Sequence, residues 1–432
     1  MTIKKYRTQN VFDAAQERLN YVFDEFEHIY VSFSSGKDSG VVLNQCIDIA
    51  RRRGRKFHAV FIDLEAFYQK SAAFVEKMFT ENEDVLIPMW VCLPMTSPNS
   101  LSYFEPTWVW WDEEKRPIWV RDMPKNSWVI NLQNNPFDWY VPKMTFEEFI
   151  KHIGETIGHG EKTACLVGIR TDESLNRFRA IAGNKETYKG KRFSTKVSEN
   201  VFNFYPIYDW TVEDIWTYNA RFAKPYNPIY DLMYLAGVPI HKMRIDEPFG
   251  NEAKAGLAQF KVIEPDLWGK LVNRVSGANF GNIYSGSKIM SNSYKLPKNY
   301  TWKQFTEFLL TTLPPAAADN YRDRFTKFIA YWRDVGCPVP DEQIEILEAK
   351  YGDTIINTRS YGTRGAKDKY LVKFREPLDE LPELEGKDDF CTWRRMAMCI
   401  IKNDFVCKGL SFSITKEMKA KRDAVLAKFR SL

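Results

Sequence analysis

The sequence predicts an α/β fold built on a doubly wound, mainly parallel sheet, and three observations carry the prediction. Residues 29–33, 57–62 and 85–92 form short apolar runs without alternation, the pattern of parallel strands covered on both faces. Stretches with helical periodicity separate them, so strand and helix alternate as in a doubly wound sheet. A tight turn of small residues, Ser34-Ser35-Gly36-Lys37-Asp38-Ser39, joins the first run to the next helix. Ligands in such sheets bind beyond the carboxyl ends of the strands.

The elements follow in order. Asn10 is positioned to cap a helix in which Val11, Ala15, Leu19, Val22 and Phe26 recur on one face. Residues 29–33 are the first strand, and Val41, Val42, Leu43, Cys46 and Ile47 mark a helix that ends at Gly54. Residues 57–63 form the second strand, with Asp63 at its end; a helix near 66–79 and a strand near 85–92 follow. Residues 93–143 break the alternation with Trp108, Trp110, Trp111, Trp119, Trp128 and Trp139 among several prolines, so they are expected to be an insertion, a small β-rich lid. A helix over 145–157, capped by Thr145 with Glu147 and Glu148 in its first turn, restores the pattern. Strands over 164–169 and 202–207 complete the sheet. Beyond residue 246 the alternation fades and aromatic-rich helical segments at 301–312 and 317–334 take over. The expected division is a nucleotide-binding domain over 1–245 and a mainly helical domain over 246–432.

Composition narrows the classes. A length of 432 residues suits two or three domains. A net charge of +5 is too weak to imply direct nucleic-acid binding, so nucleic acid enters only indirectly. The basic cluster of Arg51, Arg52, Arg53, Arg55 and Lys56 reads as a solvated helix end. No apolar run is long enough to span a membrane and no signal-like segment opens the chain, which leaves the cytoplasm as the expected location. The seven cysteines form no C-x-x-C pair and read as reduced, mostly buried thiols, with no metal site among them.

The turn after the first strand is the candidate phosphate cradle. Small residues let backbone N–H groups approach an anion, and the helix N-terminus adds positive potential. Gly36 provides close approach or a positive φ, Ser34, Ser35 and Ser39 provide hydroxyls, and Lys37 is placed to neutralise phosphate. Asp38, acidic beside an anion site, suits a structural or magnesium-linked role. Asp63 is a candidate for adenosine or ribose recognition or metal contact, against the alternative of a plain strand-end residue. His58, within an apolar strand, reads as a core histidine.

Ser34 to Ser39 resembles the S-G-G-x-D-S motif of the PP-loop ATP pyrophosphatases, with Ser35 replacing the first glycine. Gly168-Ile169-Arg170-Thr171-Asp172-Glu173-Ser174 resembles the G-[IL]-R-x-x-E-S segment of phosphoadenosine phosphosulfate reductases. Tyr205-Pro206-Ile207-Tyr208-Asp209-Trp210 and Pro225-Tyr226-Asn227-Pro228-Ile229-Tyr230 are similar to two further blocks of that group. The resemblance implies an adenine nucleotide alpha hydrolase-like sheet, ATP and Mg2+ as cofactors, Lys37, Asp38 and Arg170 as catalytic residues, and nucleotide contacts from the cradle, Gly168 and Arg170. The chain end, with Thr392-Trp393-Arg394-Arg395-Met396 and Cys407-Lys408-Gly409, resembles the domain of unknown function of the IbrA-like branch, which implies a ParB/sulfiredoxin-like protein partner.

One departure matters. The reductases carry a catalytic cysteine in an E-C-G-x-H type motif, and this chain lacks it. The leading expectation is an enzyme that cleaves ATP between the α and β phosphates. A nucleotide-binding regulator acting with its partner, and a sulfonucleotide reductase with an unfamiliar thiol arrangement, stay open.

Overall fold

The computed structural model describes residues 8–102, 105–182, 186–245, 247–250, 257–278, 296, 300–362, 366–382 and 390–412. Residue 246, at the expected domain boundary, lies outside them. The chain forms two compact units. The first comprises Met1–Ser97, Val109–Pro248 and Gly256–Arg274, and the second Pro98–Trp108, Phe249–Ala255 and Val275–Leu432.

The first unit is the predicted doubly wound sheet. Its strands are β1 (His28–Ser32), β2 (Phe57–Ile62), β3 (Leu86–Val91), β4 (Val129–Ile130), β5 (Thr163–Val167), β6 (Ser194–Lys196) and β7 (Val201–Phe204), in the spatial order β4-β3-β2-β1-β5-β7-β6. All neighbours are parallel except β6, which runs antiparallel to β7. The chain winds outward from β1 in one direction through β2 and β3, then returns to its other side through β5. That reversal leaves a crevice at the carboxyl end of β1, where the cradle begins.

Local chemistry explains the helices that frame the cradle. Asn10 caps α1 (Val11–Glu25) by accepting from Asp13 N at 2.8 Å, and Ala15, Leu19, Val22 and Phe23 are buried on its inner face. The helix α2 (Lys37–Arg53) is almost entirely covered and ends where Gly54 turns left-handed at φ 62°. Arg51 and Arg53 at its end pair with Asp84 and Asp24 at the surface, consistent with a basic helix terminus. The capping box of Thr145 and Glu148 opens α3 (Phe146–Gly158) as expected.

The tryptophan-rich insertion differs from the β-rich lid. Its strands are short, Glu113–Ile118 is a 3-10 turn, and Val129–Ile130 joins the edge of the main sheet as β4. Trp110 and Trp111 are wholly buried, so the aromatic residues that interrupt the pattern serve as core. The second unit adds an antiparallel sheet of Cys337–Val339, Ile355–Gly362 and Ala366–Phe374 to its helices. Its helices Trp302–Thr311 and Pro315–Asp334 fall where the periodicity places them.

His58 sits in β2, opposite Tyr30 of β1 and Ile87 of β3. Burial, then the neighbouring His28 and His159, lowers its pKa to about 4. The folded state therefore resists protonation that the unfolded chain accepts near 6.5. Its stabilising contribution is complete above that value and is lost as pH falls toward 4. The denaturation midpoint should drop between about pH 7 and about pH 4.5, and His58→Leu should reduce that drop. A drop of equal size in the variant would assign the effect elsewhere.

Candidate functional site

The cradle is a compact set of hydrogen bonds at the carboxyl end of β1. Phe33 N still donates to Val60 O at 2.9 Å, which extends the sheet to the start of the turn. Ser39 Oγ then organises the loop. It donates to Gly36 O at 3.2 Å, accepts from Ser34 N at 3.2 Å, and lies 2.9 Å from Ser34 Oγ. Gly36 is the N-cap of α2, and Gly40 N donates to Gly36 O at 2.9 Å. Among the described residues no acceptor faces the N–H groups of Asp38 and Ser39. These are the first-turn donors that a helix leaves unsatisfied, and with the helix dipole they suit an oxyanion.

Of the two roles expected of Gly36, close approach or a positive φ, the positive φ lies one residue earlier, and a Cβ on Gly36 would sit 3.1 Å from Ser34 Oγ. Gly36 has φ −72° and ψ 160°, ordinary for an N-cap, whereas Ser35 has φ 59°. A serine thus stands in the left-handed region where the resembled motif has glycine. Its side chain is fully buried and its Oγ has no hydrogen-bond partner. Both features are unfavourable, the backbone by about 1 kcal/mol and the orphaned hydroxyl by about 1 to 3 kcal/mol. Ser35→Gly should therefore raise the thermal midpoint by several degrees. A lowered midpoint in calorimetry would show that the hydroxyl has a partner in solution.

Three charged side chains stand together beside the loop. Arg170 Nε donates to Asp38 Oδ1 at 2.5 Å, and Lys37 Nζ lies 3.2 Å from Asp38 Oδ2. Lys37 Nζ also donates to Met243 O at 3.1 Å, while its backbone N–H donates to Tyr230 Oη at 2.9 Å. Arg170 reaches this position because Gly168 lets the end of β5 lie against the first turn of α2. A Cβ on Gly168 would be 2.6 Å from Ser39 Cα and 2.7 Å from Ser39 N. Lys37, expected to face a phosphate, instead points inward, and both cations are committed to Asp38.

The residue-by-residue reading missed the supports of this loop. Asn227 Nδ2 donates to Ser35 O at 3.2 Å and to Ser71 Oγ at 2.9 Å, and its Oδ1 accepts from Ile229 N at 3.0 Å. Tyr230 opposes Lys37 as described. The Pro225 to Tyr230 block, carried by resemblance, was the available signal, and its work is to brace the cradle from outside. The Trp210 block serves the frame: Trp210 Nε1 donates to Val11 O at 3.0 Å, and Asp209 takes a two-pronged contact from Arg18 at 2.7 and 2.6 Å.

Comparison with known proteins agrees with this architecture. Residues 28–236 match the phosphoadenosine phosphosulfate reductase domain, and residues 237–421 match the Domain of unknown function (DUF3440). The uncharacterized protein YbdN of Escherichia coli (strain K12) is 34% identical over 420 residues, covering 96% of this chain and 93% of that protein. The chain belongs to the phosphoadenosine phosphosulfate reductase-like family. Among solved structures it is similar to the phosphate complex of phosphoadenylyl-sulfate reductase from Candida auris, at 15% identity and a TM-score of 0.30 over 53% of this chain and 93% of that one. It is also similar to the Candida glabrata FMN adenylyltransferase in complex with FAD and inorganic pyrophosphate, at 15% identity and a TM-score of 0.29 over 52% and 64%.

Within this reductase-like fold, Asp63 has a different place from the one expected. It is 0% exposed. Its carboxylate forms an ion pair with Arg121, accepts from Trp90 Nε1 at 2.6 Å and from Glu65 N at 2.8 Å. Those bonds use both oxygens, so Asp63 tethers the insertion instead of facing a ribose or a metal. Arg121 comes from the insertion itself, a partner that strand periodicity could not supply. Arg177 stands at the surface, half exposed, 3.8 Å from Glu173.

The seven cysteines are free, none joined in a disulfide. All are buried except Cys337, which is intermediate. Burial pushes Cys165 and Cys391 up to about 12 and raises Cys46 and Cys92 well above the ordinary range. Cys399 is raised by its hydrogen bond with Cys407 and by burial. A nucleophilic thiol needs the opposite environment. No described helix is long and apolar enough to cross a membrane.

Proposed function

We propose that this reductase-like chain binds ATP at the cradle and cleaves it between the α and β phosphates, transferring the adenylyl group to water or another acceptor with pyrophosphate leaving. The observation that carries the reading is the pair of unsatisfied first-turn N–H groups on a long buried helix, with Arg170 held beside them by Gly168. Preorganised donors of this kind stabilise charge that develops on a phosphoryl oxygen. Magnesium belongs to the nucleotide in this scheme. Asp38 is already held by two cations, and no described group of three or more acidic, histidine or cysteine side chains could hold a metal. Burial and raised pKa values disfavour Cys46, Cys92, Cys165, Cys391 and Cys399 as the nucleophile of a sulfonucleotide reduction.

Incubation with ATP labelled at the α phosphate, with magnesium, tests the proposal. AMP and pyrophosphate are the expected products. ADP and phosphate would contradict it, and sulfite release from a sulfonucleotide with a thiol reductant would favour the reductase reading instead.

A further inference from the structure

The cations of the cradle are arranged in an order that a simple phosphate site does not require. Lys37 and Arg170 are 6% and 4% exposed, the Asp38 side chain is 13% exposed, and Ser34 beside it is open to solvent. The carboxylate is thus the most accessible of the three charged groups. Each carboxylate oxygen engages one of the cations, Oδ1 with Arg170 and Oδ2 with Lys37. A carboxylate beside the first-turn N–H groups of α2 occupies the same electrostatic position as a ligand oxyanion and is favoured there by the same helix dipole.

We propose that Asp38 is a built-in counter-anion, competing with the ligand for Arg170 and Lys37, so that the cradle favours ligands carrying more negative charge than one carboxylate. The ligand class is then a nucleotide with linked phosphates, and singly charged sulfate-ester or phosphodiester groups are held poorly. The proposal rests on the reading of the cradle as a nucleotide phosphate site. Three ionised groups enclosed together interact strongly because water screens them little, and a ligand has to offer Arg170 a better partner than the one it already has. The same device protects the empty site. Two enclosed cations without a counter-charge would be costly, and Asp38 keeps them neutralised until a ligand replaces it.

The sign of one substitution separates this role from others. Calorimetric titration of the full chain with inorganic pyrophosphate, with ATP and with methyl sulfate, each with and without magnesium, should show Asp38→Asn binding pyrophosphate roughly 10-fold tighter than the parent without magnesium. Methyl sulfate, which carries a single charge, should gain more, so that discrimination between it and pyrophosphate narrows. Because that variant leaves two enclosed cations, the same change is also made alongside Lys37→Met, which preserves the net charge of the group. The double variant should bind pyrophosphate more tightly than Lys37→Met alone. Weaker binding by the folded Asp38 variants would overturn the proposal and make Asp38 a positioning residue for Arg170. A loss confined to solutions with magnesium would overturn it in favour of a metal ligand. Parent and variants all failing to bind pyrophosphate and ATP would overturn both this inference and the ATP reading, whereas parental binding with a loss in the variants would leave the ATP reading intact.

Discussion

Gly168→Ala should cost at least about 1 to 3 kcal/mol of stability and weaken ATP binding by roughly 10-fold or more. The added Cβ would meet main-chain atoms, Ser39 Cα at 2.6 Å, Ser39 N at 2.7 Å and Asp38 C at 2.8 Å. Backbone cannot rotate away as a side chain can, so either the end of β5 or the first turn of α2 has to shift. Both movements change the cradle: the first withdraws Arg170 from Asp38, and the second redirects the N–H groups of Asp38 and Ser39. Gly40→Ala is the matched control. Nothing lies within 4 Å of its added Cβ, and alanine in a helix is favoured over glycine by about 1 kcal/mol. Chemical denaturation and nucleotide titration of the two variants should move in opposite directions for stability, and only Gly168→Ala should lose binding. Equal behaviour would mean that the contact between β5 and α2 does not set the site.

The second large effect is expected at the buried pair of Glu65 and Arg274. Glu65, wholly buried and at φ 60°, accepts from Trp111 N at 2.7 Å and Val120 N at 3.1 Å. Arg274 meets its two oxygens at 2.8 and 3.0 Å and donates to Val109 O at 2.6 Å. One carboxylate thereby joins the loop after β2, two points of the insertion and the helix Pro265–Arg274. Arg274→Leu leaves that carboxylate enclosed without its cation and should cost about 3 to 5 kcal/mol. Adding Glu65→Gln should recover a large part of the loss, because the amide carries no charge yet still offers an acceptor oxygen. Denaturant unfolding of the parent, the single variants and the double variant measures this coupling. Additive losses would show that the two groups act independently.

The main elements were legible because their signals are local. Continuous apolar runs announced parallel strands, Asn10 and Thr145 announced helix starts, and Gly54 a helix end. The cradle was legible as a turn of small residues between a strand and a helix. The antiparallel sheet of the second unit was not, since the pairing of Ile355–Gly362 with Ala366–Phe374 depends on partners that no local pattern identifies. The insertion was expected to be a β-rich lid, yet Trp110 and Trp111 are buried in the core, with Trp111 bonded to Asp63 and Glu65.

The sequence by itself determined the class of sheet, the position of the cradle at the end of the first strand, the family and the absence of a recognisable reductase cysteine motif. Each of these is carried by residues adjacent in the chain or by an ordered set of short blocks. Tertiary structure alone decided how the charged groups are used. It turned Lys37 inward to Met243 and Tyr230, placed Asp38 between two cations, and closed Asp63 against Arg121. It also put the left-handed residue of the turn at Ser35. The physical reason is the same throughout: hydrogen bonds and ion pairs of buried side chains are set by whichever group the fold brings within about 3 Å, and those partners come from distant parts of the chain.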